Sequence, residues 1–291
     1  MNNMNELRQH YRAVGQTRQI TNAMYLLATA QMKKSMQNIG YNLEYMKRLR
    51  GTMKDILSKT KRNDLKNRFI MEQDEGRALF VAVTADKGMC GSYNADVVKK
   101  TLAEIGKYEH PILCSLGSIG SQLFVNKGYR PDYTWTDTLQ HPSVYLTKQI
   151  TRTIIDLYIK HEVKEAYIVY TEYVNSAVQQ VVCRRFLPLL RRDFLDLDYE
   201  YNYSALPIYE PSVEAVFEHI VPEYLVCFLY DVLMQAATCE NSARMNAMQN
   251  ATKNADEMIA DLSQQISAMR QLAITNEITE IAAAGEIQGA V

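Results

Sequence analysis

Ala243-Arg-Met-Asn-Ala-Met-Gln-Asn-Ala-Thr-Lys-Asn-Ala255 is part of a run of 62 residues, 223–284, that contains neither glycine nor proline. Because these two residues are the usual interruptions of helices, their absence predicts one continuous helix, roughly 90 Å long at ~1.5 Å per residue. A seam of small and apolar residues recurs along this run with a mean gap of 3.75 residues: Ala243, Ala247, Ala251, Ala255, Met258, Leu262, Ile266, Met269 and Ala273. The run therefore predicts a long C-terminal helix that packs one face against another helix.

The first 58 residues show a second helical pattern, with a seam of period 3.5. Apolar residues occupy twelve of its sixteen positions: Met4, Leu7, Tyr11, Val14, Tyr25, Ala28, Met32, Ile39, Met46, Leu49, Met53 and Ile56. The polar exceptions are Arg18, Thr21, Ser35 and Asn42. A seam sustained over about eight heptads is typical of a coiled coil. We therefore predict two long helical regions, 1–60 and 212–291, that pair in opposite directions.

Between the helical regions, four short apolar segments have the length of strands: 78–84, 111–116, 166–174 and 178–187. Segments of helical spacing separate the first three: 94–105, 118–126 and 144–159. This alternation predicts a parallel sheet with right-handed crossovers, and the last two strands form a predicted hairpin. The expected fold class is α/β, with a Rossmann-like parallel-sheet domain, 76–205, inserted into a long antiparallel coiled coil. Pro222 is expected to break or kink a short leading helix at 212–221.

Charge is distributed unevenly along the chain. Residues 1–70 carry a net charge of +10, whereas residues 212–291 carry −8. Opposite charges favour pairing between the two helical regions, although a basic arm is also compatible with binding nucleic acid or an anionic membrane surface. The arm lacks the aromatic and glycine-rich signatures of RNA-binding segments, which favours pairing within the chain.

Composition excludes wholesale disorder, because 47% hydrophobic and 22% charged residues are close to globular averages. No stretch approaches 18 consecutive apolar residues, so we expect no membrane span. The first residues lack an apolar signal core, so we expect no secretory signal. Five cysteines without a C-x-x-C pair favour reduced thiols in a cytosol-like compartment.

The turn Thr84-Ala-Asp-Lys-Gly-Met-Cys-Gly-Ser92 lies where Rossmann-type folds bind phosphate, between the first strand and a helix. Its glycines fit neither G-x-G-x-x-G nor G-x-x-x-x-G-K-[ST]. The candidate residues Asp86, Gly88, Cys90 and Gly91 are explained more simply by a tight turn that needs glycine, with phosphate binding as the alternative. No titratable residues converge on a catalytic or metal-binding pattern, so we expect no catalytic residue, metal or cofactor.

Six segments carry a family resemblance, two of which are residues 28–34, similar to A-A-S-K-M/L-R-R/K, and residues 209–211, similar to Y-x-x-E-P or Y-E-P. Residues 18–24 are similar to Q-I-T-K-A-M, with Asn22 in place of lysine, and residues 84–94 to T-S-D-R-G-L-C-G-G-F/L-N, with Ser92 in place of glycine. Residues 243–255 are similar to A-R-M-x-A-M-x-x-A-T-x-N-A, and residues 270–280 to R-Q-x-x-I-T-x-E-x-x-E/D. Together, over essentially the full chain, they resemble the gamma subunit of F-type ATP synthases.

The resemblance implies a non-catalytic central rotor shaft that couples proton or sodium flow through a membrane ring to ATP synthesis in a catalytic head. The implied partners are the alpha and beta subunits of the catalytic hexamer, the epsilon subunit and the membrane c-ring, with no nucleic acid and no direct membrane span. The implied location is peripheral, on the cytoplasmic face of the bacterial cell membrane. Contacts of the shaft with a catalytic subunit, or between the shaft helices, are implied at Met24, Lys33, Lys34, Arg244, Gln271, Thr275 and Glu277.

Two other interpretations stay open from the sequence. One is an α/β nucleotide-binding enzyme with helical oligomerisation arms, for which tight nucleotide binding by the isolated chain would be the sign. The other is a basic-arm nucleic-acid protein, for which salt-sensitive binding of DNA or RNA would be the sign.

Overall fold

The computed structural model describes residues 2–59, 67–175, 178–195 and 208–288. The outermost positions of the predicted regions, namely 1, 60, 196–205 and 289–291, lie outside the described residues, as do residues 176–177. The chain divides into two compact units. Unit 1 comprises Met1–Ala28 and Met245–Val291, and unit 2 comprises Thr29–Arg244.

Unit 1 is built from parts of two long helices, α1 (Asn2–Lys59) and α6 (Val213–Gln288). The helices run in opposite directions, because Arg18 pairs with Asp256 while Thr21, further along α1, bonds Thr252, earlier on α6. A small apolar cluster lies between them, formed by Val14, Leu7, Ala255, Ile259 and Leu262. The predicted antiparallel contact of the terminal helices is therefore confirmed.

Two positions of the predicted α6 seam are wrong, because Met258 and Ala273 are both exposed. Met258 is 44% exposed, whereas its neighbour Ile259 packs in the apolar cluster of unit 1. The gap after Ala255 is four residues rather than three, since the contact face follows the helix geometry of 3.6 residues per turn.

Unit 2 contains a five-stranded sheet in the order β3-β2-β1-β4-β5. Its strands are β1 (Arg77–Val83), β2 (Ile112–Leu116), β3 (Tyr133–Trp135), β4 (Val163–Tyr173) and β5 (Gln179–Leu187). Its helices, besides parts of α1 and α6, are α2 (Tyr93–Ile105), α3 (Ser118–Asn126), α4 (Val144–Ile159) and α5 (Arg192–Leu195). The sheet is parallel except for β5, which pairs antiparallel with β4 as the predicted hairpin requires.

The sheet of unit 2 is covered on both faces, which explains the continuous apolar runs of its central strands. Alternate β1 residues divide between two cores: Leu79 packs with α1, α4 and α6, and Phe80 packs with α2 and α3. All six residues Ala78–Val83 are buried. This arrangement gives three layers, with the sheet between two layers of helices.

Helix α6 continues through Pro222, so the predicted break of the helix at this residue is wrong. Proline removes one backbone hydrogen bond and crowds the preceding turn. Phe217, Val221 and Leu225 on either side are completely buried in the core of unit 2. This packing supports the helix on both sides of Pro222 and outweighs the local cost of proline.

One 18-residue window of α6 between Val213 and Ile281 reaches a mean hydropathy of 1.4 and is 61% buried. Length and composition alone would allow it to cross a membrane, but the core helix of a water-soluble domain passes the same test. Its apolar side chains are covered by the core of unit 2 in the first half of the helix.

Candidate functional site

A buried arginine of α6, paired with a glutamate of the same helix, joins α6 to the turn that follows β1. Arg244 and Glu240 are only 9% and 3% exposed, and Arg244 Nη2 lies 2.5 Å from Glu240 Oε1. The same nitrogen lies 3.3 Å from the carbonyl oxygens of Lys87 and Gly88. We call these four residues the Arg244 clamp. It gives a buried guanidinium a charged partner and two backbone acceptors, as buried charges require.

The turn beside the Arg244 clamp is shaped by backbone conformations that favour glycine. Gly91 and Met89 have φ values of 60° and 61°, in the left-handed region. Asn94 Oδ1 accepts a hydrogen bond of 2.8 Å from the backbone N–H of Ala85, and this bond closes the loop from β1 to α2. The predicted tight turn is therefore present, and Met89 at its tip is 65% exposed.

Asp86, in the turn after β1, binds within the chain at the N-terminus of α3, the helix that follows β2. Its Oδ1 accepts a hydrogen bond of 3.0 Å from the backbone N–H of Ser118, the first residue of α3, and the Ser118 hydroxyl donates to the Asp86 carbonyl. Burial raises the pKa of Asp86, and the bond from Ser118 partly opposes this rise. A carboxylate therefore satisfies a free backbone N–H at the N-terminal end of α3, and Asp86 joins the turn after β1 to that helix.

Burial shifts the pKa values of two titratable groups around the turn. Burial raises the pKa of the Glu240 carboxyl, and the Arg244 charge opposes that effect. Burial also raises the pKa of the Cys90 thiol, which is 2% exposed. A buried, protonated thiol is a poor nucleophile. The turn therefore has a structural role, and none of its described residues is an activated nucleophile.

The other candidate residues lie on helical surfaces of α1 and α6. Met24 is half-buried, whereas Lys33 and Lys34 are exposed. Every residue from 271 to 281 is exposed, including Gln271, Thr275 and Glu277. The Thr275 hydroxyl donates to the Gln271 carbonyl at 2.8 Å, within its own helix. We call residues 271–281 the α6 tail.

The α6 tail extends past the paired part of unit 1. Arg18 faces Asp256 and Thr21 faces Thr252. In this antiparallel pair, earlier residues of α1 therefore lie opposite later residues of α6. Since both helices rise ~1.5 Å per residue, the first described residue of α1 lies opposite about residue 272. The tail therefore continues as a single helix, with Leu272, Ile274, Ile278 and Ile281 all between 46% and 73% exposed.

Sequence reasoning missed several residues that hold these sites together. Glu240 lies one turn before Arg244, and an acidic residue at i−4 in an apolar helix was the signal for a buried pair. Thr21 and Arg18 interrupt the predicted α1 seam as polar residues, and the sequence predicts no contact for either of them. In the structure, both contact α6. Among the described residues, no three His, Cys, Asp or Glu side chains form a group able to hold a metal ion.

A family model described as ATP synthase matches residues 3–286. The ATP synthase gamma chain of Ruminiclostridium cellulolyticum is 35% identical over 292 residues, covering 96% of this chain and 97% of the relative. That of Caldanaerobacter subterraneus is 36% identical over 283 residues, covering 93% of this chain and 95% of the relative.

Two solved structures share the fold at low sequence identity. A chain of the Euglena gracilis mitochondrial ATP synthase, from the OSCP/F1/c-ring structure, superposes with a TM-score of 0.69 at 16% identity, covering 99% of this chain and 95% of that one. A chain of the Tetrahymena thermophila central stalk and c-ring gives 0.60 at 22% identity, covering 80% and 99%. The chain therefore belongs to the ATP synthase gamma chain family, the non-catalytic subunit that forms the central rotor stalk of F-type ATP synthases.

Proposed function

We propose that the chain turns with its α6 tail inside a hexamer of alpha and beta subunits, while unit 2 contacts the epsilon subunit and the membrane c-ring. The Tetrahymena chain of similar fold belongs to a central stalk with a c-ring, and the Euglena chain to an assembly with F1 and a c-ring. ATP is made on the other subunits. The chain couples proton or sodium flow to that synthesis by favouring different conformations of the catalytic sites in turn.

The observation that carries this proposal is the α6 tail. A single helix with no partner among the described residues of its own chain exposes four aliphatic side chains, Leu272, Ile274, Ile278 and Ile281. Polar residues between them, Gln271, Thr275 and Glu277, offer hydrogen bonds to a surrounding protein. An apolar sleeve with a few polar contacts lets such a helix turn without breaking many directional bonds.

A second outward surface lies on α1. Ile20, Met24 and Leu27 share one face because they are spaced by four and three residues. Ile20 and Leu27 are 60% and 59% exposed. On this proposal Met24 contacts a catalytic subunit at the centre of this face, and the exposed Lys33 and Lys34 add positive charge for an acidic partner surface.

Arg244 serves the proposed function through its own chain. Its guanidinium is buried and bonded to Glu240 and to the turn after β1, so it is oriented inward within unit 2. A torque applied to the sheet domain reaches α6 through such contacts. The Arg244 clamp thus joins the part of unit 2 that follows β1 to the helix that continues into the shaft.

The proposed location is peripheral, at the cytoplasmic face of a bacterial cell membrane. Bacterial gamma chains are the relatives of 35% and 36% identity, which supports this setting. The chain takes its place there through the c-ring and not through a span of its own, since the apolar window of α6 is 61% buried in the protein.

The test replaces two polar residues of the α6 tail in the assembled enzyme. We expect Gln271→Ala/Glu277→Ala to lower ATP-driven ion pumping per ATP hydrolysed, because both side chains are exposed and lose only contacts with partner subunits. Circular dichroism and thermal melting of the isolated chain are expected to match the unaltered chain. Pumping in membrane vesicles and ATP hydrolysis are measured on the same preparation.

The matched control is Gln264→Ala/Glu257→Ala, which removes the same two residue types from exposed positions where α6 is still paired with α1. We expect the control to pump nearly as well as the unaltered enzyme. Unchanged pumping in the tail variant, or an equal loss in the control, would contradict the assignment of the tail as the coupling surface.

A further inference from the structure

The apolar contact between the helices of unit 1 specifies their alignment weakly. Val14 of α1 packs in a cluster with Ala255, Ile259 and Leu262 of α6. Apolar residues recur on this face of α6 every three to four positions. If α6 moved along α1 by one helical turn, similar side chains would therefore occupy the same places in the cluster. Ala251 then replaces Ala255, and Met258 replaces Leu262.

A pair of hydroxyl groups provides a contact that does not repeat. Thr252 Oγ1 lies 2.8 Å from Thr21 Oγ1 on the opposite helix, and Thr21 is only 9% exposed. Each hydroxyl also reaches a carbonyl of its own helix, Thr252 that of Met248 at 2.9 Å and Thr21 that of Arg18 at 3.0 Å. The two hydroxyl protons can make only two of these three hydrogen bonds at once. When one hydroxyl donates to the opposite helix, the other donates to a carbonyl of its own helix.

An ion pair lies one turn away from the threonine pair. Arg18 Nε and Asp256 Oδ1 are 2.5 Å apart, with side chains that are 44% and 50% exposed. If α6 were displaced by one turn so that Ala251 replaced Ala255, Thr21 would face Met248 and Arg18 would face Thr252. Both polar contacts would be lost while the apolar contacts would be nearly retained.

We propose that Thr21 and Thr252, supported by Arg18 and Asp256, are positioning residues that fix the register of α1 against α6 in unit 1. A single polar pair in an apolar helix seam is an effective way to select one register, because the displacement that puts Ala251 in the place of Ala255 leaves the Thr21 hydroxyl facing Met248. The register determines how far the α6 tail extends past α1. That consequence rests on the proposed function, whereas the register itself does not.

The test removes the hydroxyls without changing side-chain shape. Thr21→Val/Thr252→Val keeps two β-branched side chains of similar volume, so the thermal midpoint is expected to stay the same or rise. Encoded spin labels are attached at the exposed positions Arg12 and Gln249 by chemistry that leaves the native cysteines unreacted. These positions are about 18 Å apart along the helix axis, so displacement of α6 along the axis changes the distance between the labels. Double electron–electron resonance then reports the distance distribution between the two helices in the full chain.

We expect one narrow distance population in the unaltered chain and in Thr21→Ser/Thr252→Ser, which keeps both hydroxyls. In the valine variant we expect a second population, in which the α6 label is displaced by ~5.4 Å, one helical turn. We expect its share to rise about tenfold, because the cross-helix hydrogen bond no longer favours one register. A single unchanged population in the valine variant would overturn the proposal.

The matched control is Thr17→Val/Thr279→Val. Both of these threonines are exposed and bond only to a carbonyl of their own helix, Thr17 to Ala13 at 3.0 Å and Thr279 to Thr275 at 2.8 Å. The control also loses two threonine hydroxyls, but neither of them makes a bond across to the other helix. Its distance distribution is therefore expected to match that of the unaltered chain. A second population in the control would show that loss of hydroxyls in general, and not the pair, alters the register.

The functional consequence is measured separately in the assembled enzyme. We expect the valine variant to pump fewer ions per ATP hydrolysed, and the serine variant to recover most of the loss. A second distance population with unaltered pumping would leave the register proposal standing and would count against the proposed function of the tail. Unaltered distances with reduced pumping would overturn the register proposal alone.

Discussion

The two halves of α6 are parts of one helix with opposite surroundings. Between Val213 and Arg244 the helix lies in the core of unit 2, where Phe217, Leu225 and Leu229 have no exposed surface. From residue 245 onward only one stripe is covered, and residues 271–281 are exposed on all sides. One continuous helix thus has a half that its own chain buries and an end that the described part of the chain leaves uncovered.

This difference shows where stability and function are separated along the helix. A substitution in the first half changes packing within the chain, so its effect appears in the isolated protein. A substitution in the tail removes no contact within the described chain, so its effect appears only in the assembled enzyme. The variants below are arranged to test this separation, from the largest expected change in the free energy of unfolding to the smallest.

The largest effect is expected for Arg244→Ala in the first half. This change leaves Glu240 buried without its cation and also removes the bonds to the Lys87 and Gly88 carbonyls. Breaking one partner of a buried pair costs about 3–5 kcal/mol. Urea unfolding of the isolated chain, followed by circular dichroism, measures the loss.

The second half of α6 supplies a matched pair with the same spacing. Lys253 and Glu257 are 4.0 Å apart at i and i+4, and their side chains are 77% and 66% exposed. Lys253→Ala is expected to cost about 0.5 kcal/mol or less, since exposed pairs contribute little. Equal losses for Lys253→Ala and Arg244→Ala would show that the two halves do not differ as described.

A leucine series along α6 is expected to show a graded effect. Leu225 is fully buried, Leu262 is 6% exposed in a thin seam, and Leu272 is 62% exposed. Leu225→Ala is expected to lower the free energy of unfolding by about 2–5 kcal/mol, because it leaves a cavity in a packed core. Leu262→Ala is expected to cost less, because one side of its contact is open to solvent.

Leu272→Ala completes the series at the exposed end. Its effect on unfolding is expected to stay within about 0.5 kcal/mol, as for surface positions in general. Thermal melting of all three variants under one buffer condition gives the ranking. If Leu272→Ala destabilised the isolated chain as much as Leu262→Ala, the tail would have a partner within its own chain.

Periodicity predicted the helices and most of the sheet well, because burial on one face imposes it on the sequence. The helices Ser118–Asn126 and Val144–Ile159 and the antiparallel pairing of β4 and β5 are found as predicted. Strand β3, Tyr133–Trp135, was not predicted. With three residues and partial burial, it has too short a pattern to recognise, and its place is fixed by pairing with β2.

The polar contacts were harder to predict, because they depend on residues distant in sequence. Thr21 interrupts an apolar seam, and nothing near it in the sequence shows that its partner is Thr252, 231 positions away. The motif that contains Arg244 was recognised, but the turn carbonyls that accept its hydrogen bonds lie 156 and 157 positions earlier. The resemblance identified the correct family, whereas only the fold showed which motif residues are buried and which are exposed.

A smaller, pH-dependent effect is expected at Asp231 in the first half of α6. Burial raises the pKa of this carboxyl above its ordinary value of 3.8, opposed by hydrogen bonds from Gln235 and Asn42. Between the ordinary and the raised pKa the folded chain binds more protons than the unfolded chain, so stability falls as pH rises through this window. Asp231→Asn is expected to remove that fall. The variant is therefore expected to gain more free energy of unfolding, relative to the unaltered chain, at neutral pH than at pH 4.

Urea unfolding at a series of pH values between 4 and 7 measures this effect. The control is Asp261→Asn in the second half, which removes the same charge from an exposed side chain. Its difference from the unaltered chain is expected to change less with pH than that of Asp231→Asn. A pH dependence that is identical in the two variants would show that burial of Asp231 has no bearing on stability.

The smallest effect on unfolding is expected for Ile278→Gln/Ile281→Gln in the tail, where the two side chains are 62% and 73% exposed. Glutamine keeps the helix propensity high and loses no packing within the chain, so the free energy of unfolding is expected to stay within about 0.5 kcal/mol. In the assembled enzyme, the two amides would enter an apolar sleeve without assured hydrogen-bond partners. We expect slower ATP-driven pumping, whereas the exposed Glu280→Gln is expected to alter pumping less.

A loss of more than ~1 kcal/mol in the free energy of unfolding would mean that the tail packs on its own protein. The separation of the two halves of α6 would then fail at the end where it matters most for rotation.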